Sequence, residues 1–435
     1  MRRGISKTVL SLVALLIGLL IGAAVGFSVP SKTVTETVTQ SKVVTVTKTV
    51  APKTTTTTTV TQTKKKVNVL VLFDVGGRGD LSFNDMAWLG AQEAQKELGV
   101  NVSYLTPKSL ADMKPLLEDL SSKGKYDLIV LVGFLWTTPL NETASKFPNQ
   151  KYALIDSTTG VPRPNEMDLL FKEQEVASLI GIIASGIAHE LGSDKVGALV
   201  GMDIPPLWRF QVGYYFGAKY YEKKTGNPVN VVWTITGTFT DPATGKQYTE
   251  QMLKQGVRVI YGLAGATHLG AFTAVKEWDE QHKEKAFAIG EDASQEWIDP
   301  QHIFISGRKR VDVAVFTAIE SVVKGTWKGG IHELGLKEGG VGIATLDEVK
   351  WFADQAYKAG KLKGMTPDRV VSMVKSLREK YIKPEVWDLV KDLESKIKSG
   401  EIQFKGPMSV QERNSIIEGI ESGNLNAALA KGSVG

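Results

Sequence analysis

The sequence predicts an α/β protein with two doubly wound parallel-sheet lobes around a ligand cleft. After Lys66 one grammar repeats: a short apolar run rich in β-branched residues, a turn of Gly, Asp, Ser or Thr, then a helical stretch. The apolar runs are continuous rather than alternating, which is how strands read when helices cover both faces of a parallel sheet. Eight or nine such units are more than one sheet holds comfortably, so two lobes across a cleft is the economical arrangement.

In chain order, strands are expected at 67–75 (VNVLVLFDV), 102–105, 127–133, 152–156, 196–201, 230–236, 257–263, 285–290 and 302–307. Helices are expected at about 84–98, 109–122, 138–147, 173–191, 208–223, 246–255, 268–281 and 310–324, with the polar residues in the turns between strand and helix. The first lobe should span 67–172 and the second 173–308, crossing near Lys172 to Glu175, with a return to the first lobe over 309–405. Within that return, 346–383 reads as an inserted pair of amphipathic helices, and 406–435 is a C-terminal tail.

Ahead of the body, residues 1–30 read as a signal or membrane anchor. Thr8 to Phe27 runs twenty residues without a charge, about one bilayer core in length at ~1.5 Å per residue. Arg2, Arg3 and Lys7 precede it, so the positive-inside bias keeps the N-terminus cytoplasmic and sends the body outside. A retained anchor and a cleaved signal peptide both fit this pattern. Residues 31–66 are almost wholly Thr, Val, Ser, Lys and Gln, including Thr54 to Thr59, and are expected to form a disordered stalk.

Composition excludes several function classes. The formal charge is +5, but ten Lys or Arg lie in 1–66 against the single acid Glu36, which leaves the body slightly acidic. No basic face for nucleic acid follows. The absence of cysteine removes disulfides, zinc thiolates, iron–sulfur clusters, thiol nucleophiles and a lipidated Cys. The five histidines, His189, His268, His282, His302 and His332, show no metal-ligand spacing. No cofactor is expected.

The segment Asp74-Val-Gly-Gly-Arg-Gly-Asp80 follows the first strand but is no phosphate loop: it matches neither glycine motif, and its two aspartates would repel a phosphate. Its glycines suit a tight turn beside a ligand, with Ser82 or Asp80 capping the next helix. No catalytic set emerges, so the expectation is a binder and not an enzyme. Ligands of open parallel sheets sit outside the carboxyl ends of the strands. There the chain offers Phe83, Phe134, Trp136 and Phe239 as faces for a flat solute, and Asp74, Asp156, Asp203, Asp241, Asp292 and Lys309 for its polar groups.

Several motifs together resemble one family. They are Asp74-Val-Gly-Gly, Ser82-Phe83-Asn84, Trp88-Leu-Gly90, Phe171-Lys-Glu-Gln-Glu175, Gly201-Met-Asp-Ile-Pro-Pro-Leu-Trp-Arg-Phe210, Gly237-Thr-Phe-Thr-Asp241, Ala264-Gly-Ala-Thr267 and Lys309-Arg-Val-Asp312. They resemble the basic membrane protein family of ABC-transporter substrate-binding proteins, whose characterised members include purine-nucleoside receptors. The likeness covers about 67–345 and resumes near 384–405.

This resemblance implies a type I periplasmic-binding fold, two lobes joined by three crossovers and closing on a nucleoside. It implies that Phe83 and Phe239 sandwich the base, that Asp292 and Lys309 hold the ribose hydroxyls, and that Asp74 and Asn84 line the first-lobe wall. The implied partners are a nucleoside-like small molecule and an ABC permease in the membrane, with a monomeric body. Two departures stand out. Thr138 replaces the family's Asp in Gly-Phe-Leu-x-[Thr/Ser]-Asp, and Gly265-Ala-Thr-His268 replaces Gly-Gly-Thr-Gly, taking an imidazole either toward the cleft or into a helix cap. Thr138 and Gly265 are therefore counted with the binding residues. On this reading Lys309→Ala weakens binding by roughly 1–3 kcal/mol and leaves folding intact. The alternatives are a ligand-sensing ectodomain for a membrane partner, or a binder of a different small solute.

Overall fold

The computed structural model describes residues 66–362 and 364–434; the expected leader and all but the last residue of the stalk lie outside them. The chain begins β1 (Asn68–Leu72), α1 (Phe83–Leu98), β2 (Asn101–Leu105), α2 (Leu110–Ser122), β3 (Leu128–Val132), α3 (Thr137–Thr143), β4 (Tyr152–Ile155) and β5 (Glu166–Phe171). It continues α4 (Glu173–Glu190), β6 (Lys195–Val200), α5 (Pro205–Thr225), β7 (Asn230–Ile235), α6 (Pro242–Lys254), β8 (Val259–Leu263), α7 (Leu269–His282), β9 (Phe287–Gly290) and β10 (Ile303–Lys309). Then come α8 (Val311–Lys324), β11 (Gly330–Leu334), β12 (Val341–Ile343), α9 (Leu346–Lys358), α10 (Pro367–Tyr381), α11 (Pro384–Ser399), β13 (Gln403–Phe404), α12 (Val410–Glu421) and β14 (Leu429–Lys431).

Two six-stranded sheets result, ordered β11-β5-β4-β3-β1-β2 and β12-β10-β9-β8-β6-β7. Every pairing in the first is parallel, and in the second only β12 runs antiparallel, to β10. The central strands β3, β4 and β8 are buried at every residue, which is why they read as unbroken apolar runs. By contrast β2 is an edge strand and mostly exposed, so its apolar residues do not mark a strand covered on both faces.

Three segments join the lobes: Phe171 to Glu173, Lys309 to Val311, and Leu334 to Val341. Beside them α4 is buried over nearly its whole length and packs tightly on α5. A Cβ on Gly217 would lie 2.0 Å from the Ser178 carbonyl oxygen, so only glycine permits this approach.

The expectation that 309–405 returns to the first lobe needs correction. Helix α8 and strand β11 do join the first lobe, but β12 crosses back and pairs with β10, Gly307 opposite Ile343. The inserted helices follow it onto the second lobe. Tyr381 of α10 packs edge-on against Phe287 at 4.8 Å, and Arg378 Nε donates to the Phe304 carbonyl at 2.7 Å. Val386 of α11 sits where a Cβ on Gly186 of α4 would fall. Strands β5, β11 and β12 escaped sequence reading because β5 opens on charged residues, β11 is a half-exposed edge strand with His332 and Glu333 in its middle, and β12 has three residues.

Candidate functional site

The turns at the carboxyl ends of the strands meet between the lobes around a cavity of about 80 Å³. Asp74, Phe83, Asn84 and Asp156 line it from the first lobe, and Phe239, Gly265, Glu291 and Asp292 from the second, with Lys309 at a crossover.

On the first-lobe side, Asp80 holds the entry to α1. Its carboxylate accepts from the backbone N–H of Ser82 at 3.0 Å, Asn84 at 2.9 Å and Asp85 at 3.1 Å. Of the two capping residues expected, Asp80 is therefore the cap, and Ser82 is freed for another task. Asp74 accepts from Gly76 N at 2.8 Å and from Asn84 Nδ2 at 3.1 Å, and burial raises its pKa above the ordinary carboxylate value. Asn84 Oδ1 is buried without a hydrogen-bond partner, an acceptor left over in the cavity wall.

Each aromatic face has space made for it by a glycine. Gly201, just after β6, leaves room for Phe239: a Cβ there would lie 2.1 Å from Phe239 Cε1. Gly133, at φ +100°, lies beside Phe83 and Asp74 more loosely: a Cβ there would be 3.3 Å from Phe83 Cε1, and the positive φ is what favours glycine.

Lys309 is 2% exposed and lies among opposite charges, 2.6 Å from Asp156 Oδ1 and 2.9 Å from Glu173 Oε1. Its Nζ also stands 5.3 Å from the Phe83 ring, 5.2 Å from Phe171 and 5.5 Å from Phe210. Burial opposes its charge, but Asp156, Glu173 and Asp292 outweigh that and hold the ammonium protonated. Burial likewise opposes charge on Glu173, yet Arg209 at 2.6 Å and Lys309 hold its carboxyl down at about 2. Burial pushes the Asp156 carboxyl well above the ordinary range, against the pull of Lys309, and the neighbouring Glu173 charge adds to the rise.

Asp156 and Asp292 both occupy the left-handed region, at φ +69° and +68°, a strained conformation for a residue with a side chain. Asp292 accepts from Ser82 Oγ of the opposite lobe, and burial raises its pKa. Burial and then the Asp292 charge push Glu291 up to about 8, while Tyr261 hydrogen-bonds to it.

A pH dependence follows. Native Glu291 keeps its proton to about 8 rather than the ordinary 4.5, so its stabilisation is complete below 4.5 and lost as pH rises through about 8. Thermal unfolding midpoints should fall between about pH 5 and about pH 9, and Glu291→Gln, neutral and of the same shape, should flatten that slope. An unaltered slope in the variant would exclude Glu291 as its source.

Thr138 does not join this set. The chain after β3 makes a short 3₁₀ turn at Phe134–Trp136, and Thr138 falls in the first turn of α3 with its side chain exposed; Phe134 and Leu135 line the cavity instead. Trp136 is fully buried, its Nε1 donating to the Phe73 carbonyl. Asp241 caps α6, and Asp203 accepts from Trp208 Nε1. His268 neither enters the cavity nor caps through its side chain: it is wholly buried, with Nδ1 accepting from Ala264 N at 3.3 Å. Among residues the sequence placed in motifs but gave no binding role, Ile204, Pro206, Leu207 and Phe210 of the α5 entry supply apolar wall, and Glu173 and Arg209 anchor Lys309. The Pro-Pro pair opening α5 was a visible signal of a helix start, whereas nothing local showed that Glu173 and Arg209 would pair with each other and with Lys309.

Residues 66–368 match the family described as ABC transporter substrate-binding protein PnrA-like, or Bmp. A solute-binding protein of an ABC transporter system from Aeropyrum pernix, known by crystal structure, is 56% identical with a TM-score of 0.82, covering 83% of this chain and 100% of its own. An uncharacterised lipoprotein of Pyrococcus abyssi is 65% identical over 370 residues, 85% of this chain and 92% of that protein. This chain has no cysteine. A Lactococcus lactis protein named ABC transporter nucleoside-binding protein BmpA is 27% identical over 312 residues, 68% of this chain and 86% of that one. Two sheets of matching order, three crossovers and an interlobe cavity are the type I periplasmic-binding fold, and the chain belongs to the Bmp family of ABC-transporter solute-binding proteins.

Proposed function

We propose that this protein is the extracytoplasmic receptor of an ABC importer that captures a nucleoside-like solute, a purine nucleoside first among them, and does no chemistry on it. The observation that carries this reading is one cavity with an aromatic ring from each lobe, Phe83 and Phe239, beside the buried Lys309 and Asp292. A flat base between two rings gains about 0.5–1.5 kcal/mol per ring pair beyond its area burial. The Lys309 ammonium and the Asp292 carboxyl suit vicinal hydroxyls, which both donate and accept. Asn84, with its unpartnered Oδ1, and Asp74 offer acceptors to ring N–H groups on the first-lobe wall. The name of the Lactococcus relative supports the same ligand class.

A ligand shifts an open–closed equilibrium only through contacts that differ between the two states. A sandwich shared between lobes makes half its contacts in the closed form alone, so closure reports occupancy to a permease. The N-terminal apolar segment either stays as the membrane tether or is removed as a signal peptide.

A thermal-shift screen of nucleosides, bases, sugars and amino acids tests this. A ligand at a hundredfold excess over Kd adds ~2.7 kcal/mol of stability. The expected result is a shift confined to nucleosides; a shift with another class alone would overturn the ligand assignment and leave the receptor.

A further inference from the structure

The lobes touch directly at one rim of the cavity, and the contact is held from behind by His268. Gln295 Nε2 donates to the Leu81 carbonyl of the first lobe at 3.0 Å. Its Oε1 accepts from Glu291 N at 3.0 Å and lies 3.1 Å from His268 Nε2, which also stands 3.0 Å from Gln295 Nε2. A backbone N–H can only donate, so His268 Nδ1, facing Ala264 N, must accept, and the ring proton sits on Nε2. That tautomer offers Gln295 a donor. With donors at Glu291 N and His268 Nε2, the Gln295 oxygen is the acceptor for both, and its nitrogen keeps the Leu81 carbonyl across the cleft as its partner. Both side chains are wholly buried. Space is reserved for them: a Cβ on Gly262 would lie 3.0 Å from His268 Cβ, and one on Gly290 would lie 2.7 Å from Gln295 Oε1. Next to this bond Ser82 Oγ donates to Asp292 and reaches the Glu291 carbonyl at 3.2 Å, so two polar links cross the same rim.

We propose that His268 is a positioning residue of a lobe-to-lobe latch: its Nε2–H fixes the Gln295 amide so that Gln295 bonds the Leu81 carbonyl and holds the receptor closed. The inference rests on the closing receptor proposed above. A His268→Ala variant leaves the inner side of the Gln295 amide held by the Glu291 N–H alone, so the amide turns more easily and brings its oxygen toward the Leu81 carbonyl, where two acceptors repel. Closure weakens while the cavity keeps every ligand contact.

The absence of cysteine allows a direct test. Nitroxide labels at Lys108→Cys on the first lobe and Lys276→Cys on the second, both exposed sites, report the interlobe distance by pulsed electron resonance. Without ligand, His268→Ala and Gln295→Met should move population toward longer distances, and nucleoside dissociation should accelerate about tenfold, the equivalent of one or two net hydrogen bonds. The double variant should open no further than either single one. His268→Gln, whose amide nitrogen can take the place of Nε2, should restore the short distance. Wild-type distances and rates in His268→Ala, or additive opening in the double variant, would overturn the latch. Should His268→Ala fail to fold, Gln295→Met, similar in volume, carries the same test. Opening of the ligand-free variants with no response to any nucleoside keeps the latch and rejects the ligand assignment. Unchanged distances in variants that bind nucleoside normally do the reverse.

Discussion

Lys309→Ala should abolish tight solute binding and, against the expectation from the sequence, should also lower folding stability by about 3–5 kcal/mol. The sequence presents Lys309 as a strand-end residue free to meet a ligand. In the structure its ammonium is 2% exposed and in contact with Asp156 and Glu173, with Arg209 on the far side of Glu173. Removing it strands buried carboxyl groups in a low-dielectric setting, a penalty distinct from any lost ligand contact. Chemical denaturation of the ligand-free protein reads the structural part, and calorimetric titration the binding part. Lys309→Met, which keeps the stem among Phe83, Phe171 and Phe210, should recover some packing and none of the affinity. A denaturation midpoint equal to wild type in Lys309→Ala would mean that the ion cluster contributes nothing to the fold.

Gly201→Ala should weaken solute binding at least tenfold, ~1.4 kcal/mol or more, with little change in stability. The added methyl would lie 2.1 Å from Cε1 and 2.3 Å from Cδ1 of Phe239, closer than any real contact, so the ring must swing away. Gly201 is not among the glycines at positive φ, so alanine meets no backbone strain there. The loss should match that of Phe239→Ala, because both remove the second-lobe face. If Gly201→Ala binds as tightly as wild type while Phe239→Ala does not, the ring has an alternative seat and the sandwich geometry is wrong.

The parallel strands and their helices were legible because apolar continuity and turn chemistry are local: β3, β4 and β8 are apolar at nearly every position since both faces are covered. Strand-end polarity was equally local. Asp74, Phe83, Asn84, Phe239, Gly265, Asp292 and Lys309 all line the one cavity, since a parallel sheet brings its carboxyl ends to the same edge. Thr138 failed because its exposure depends on the phase at which α3 starts, and a 3₁₀ turn sets that phase.

By itself, then, the sequence determined the α/β class, the turns that build the cleft and most of the residues lining it. Only the tertiary structure decided that β12 carries the inserted helices to the second lobe, that Lys309 is held by Glu173 and Asp156, and that His268 lies behind the cleft on Gln295. The physical reason is range. Periodicity and turn chemistry act between neighbours in the chain, whereas the partner of a buried charge or an apolar stripe is fixed only when segments far apart in sequence pack together.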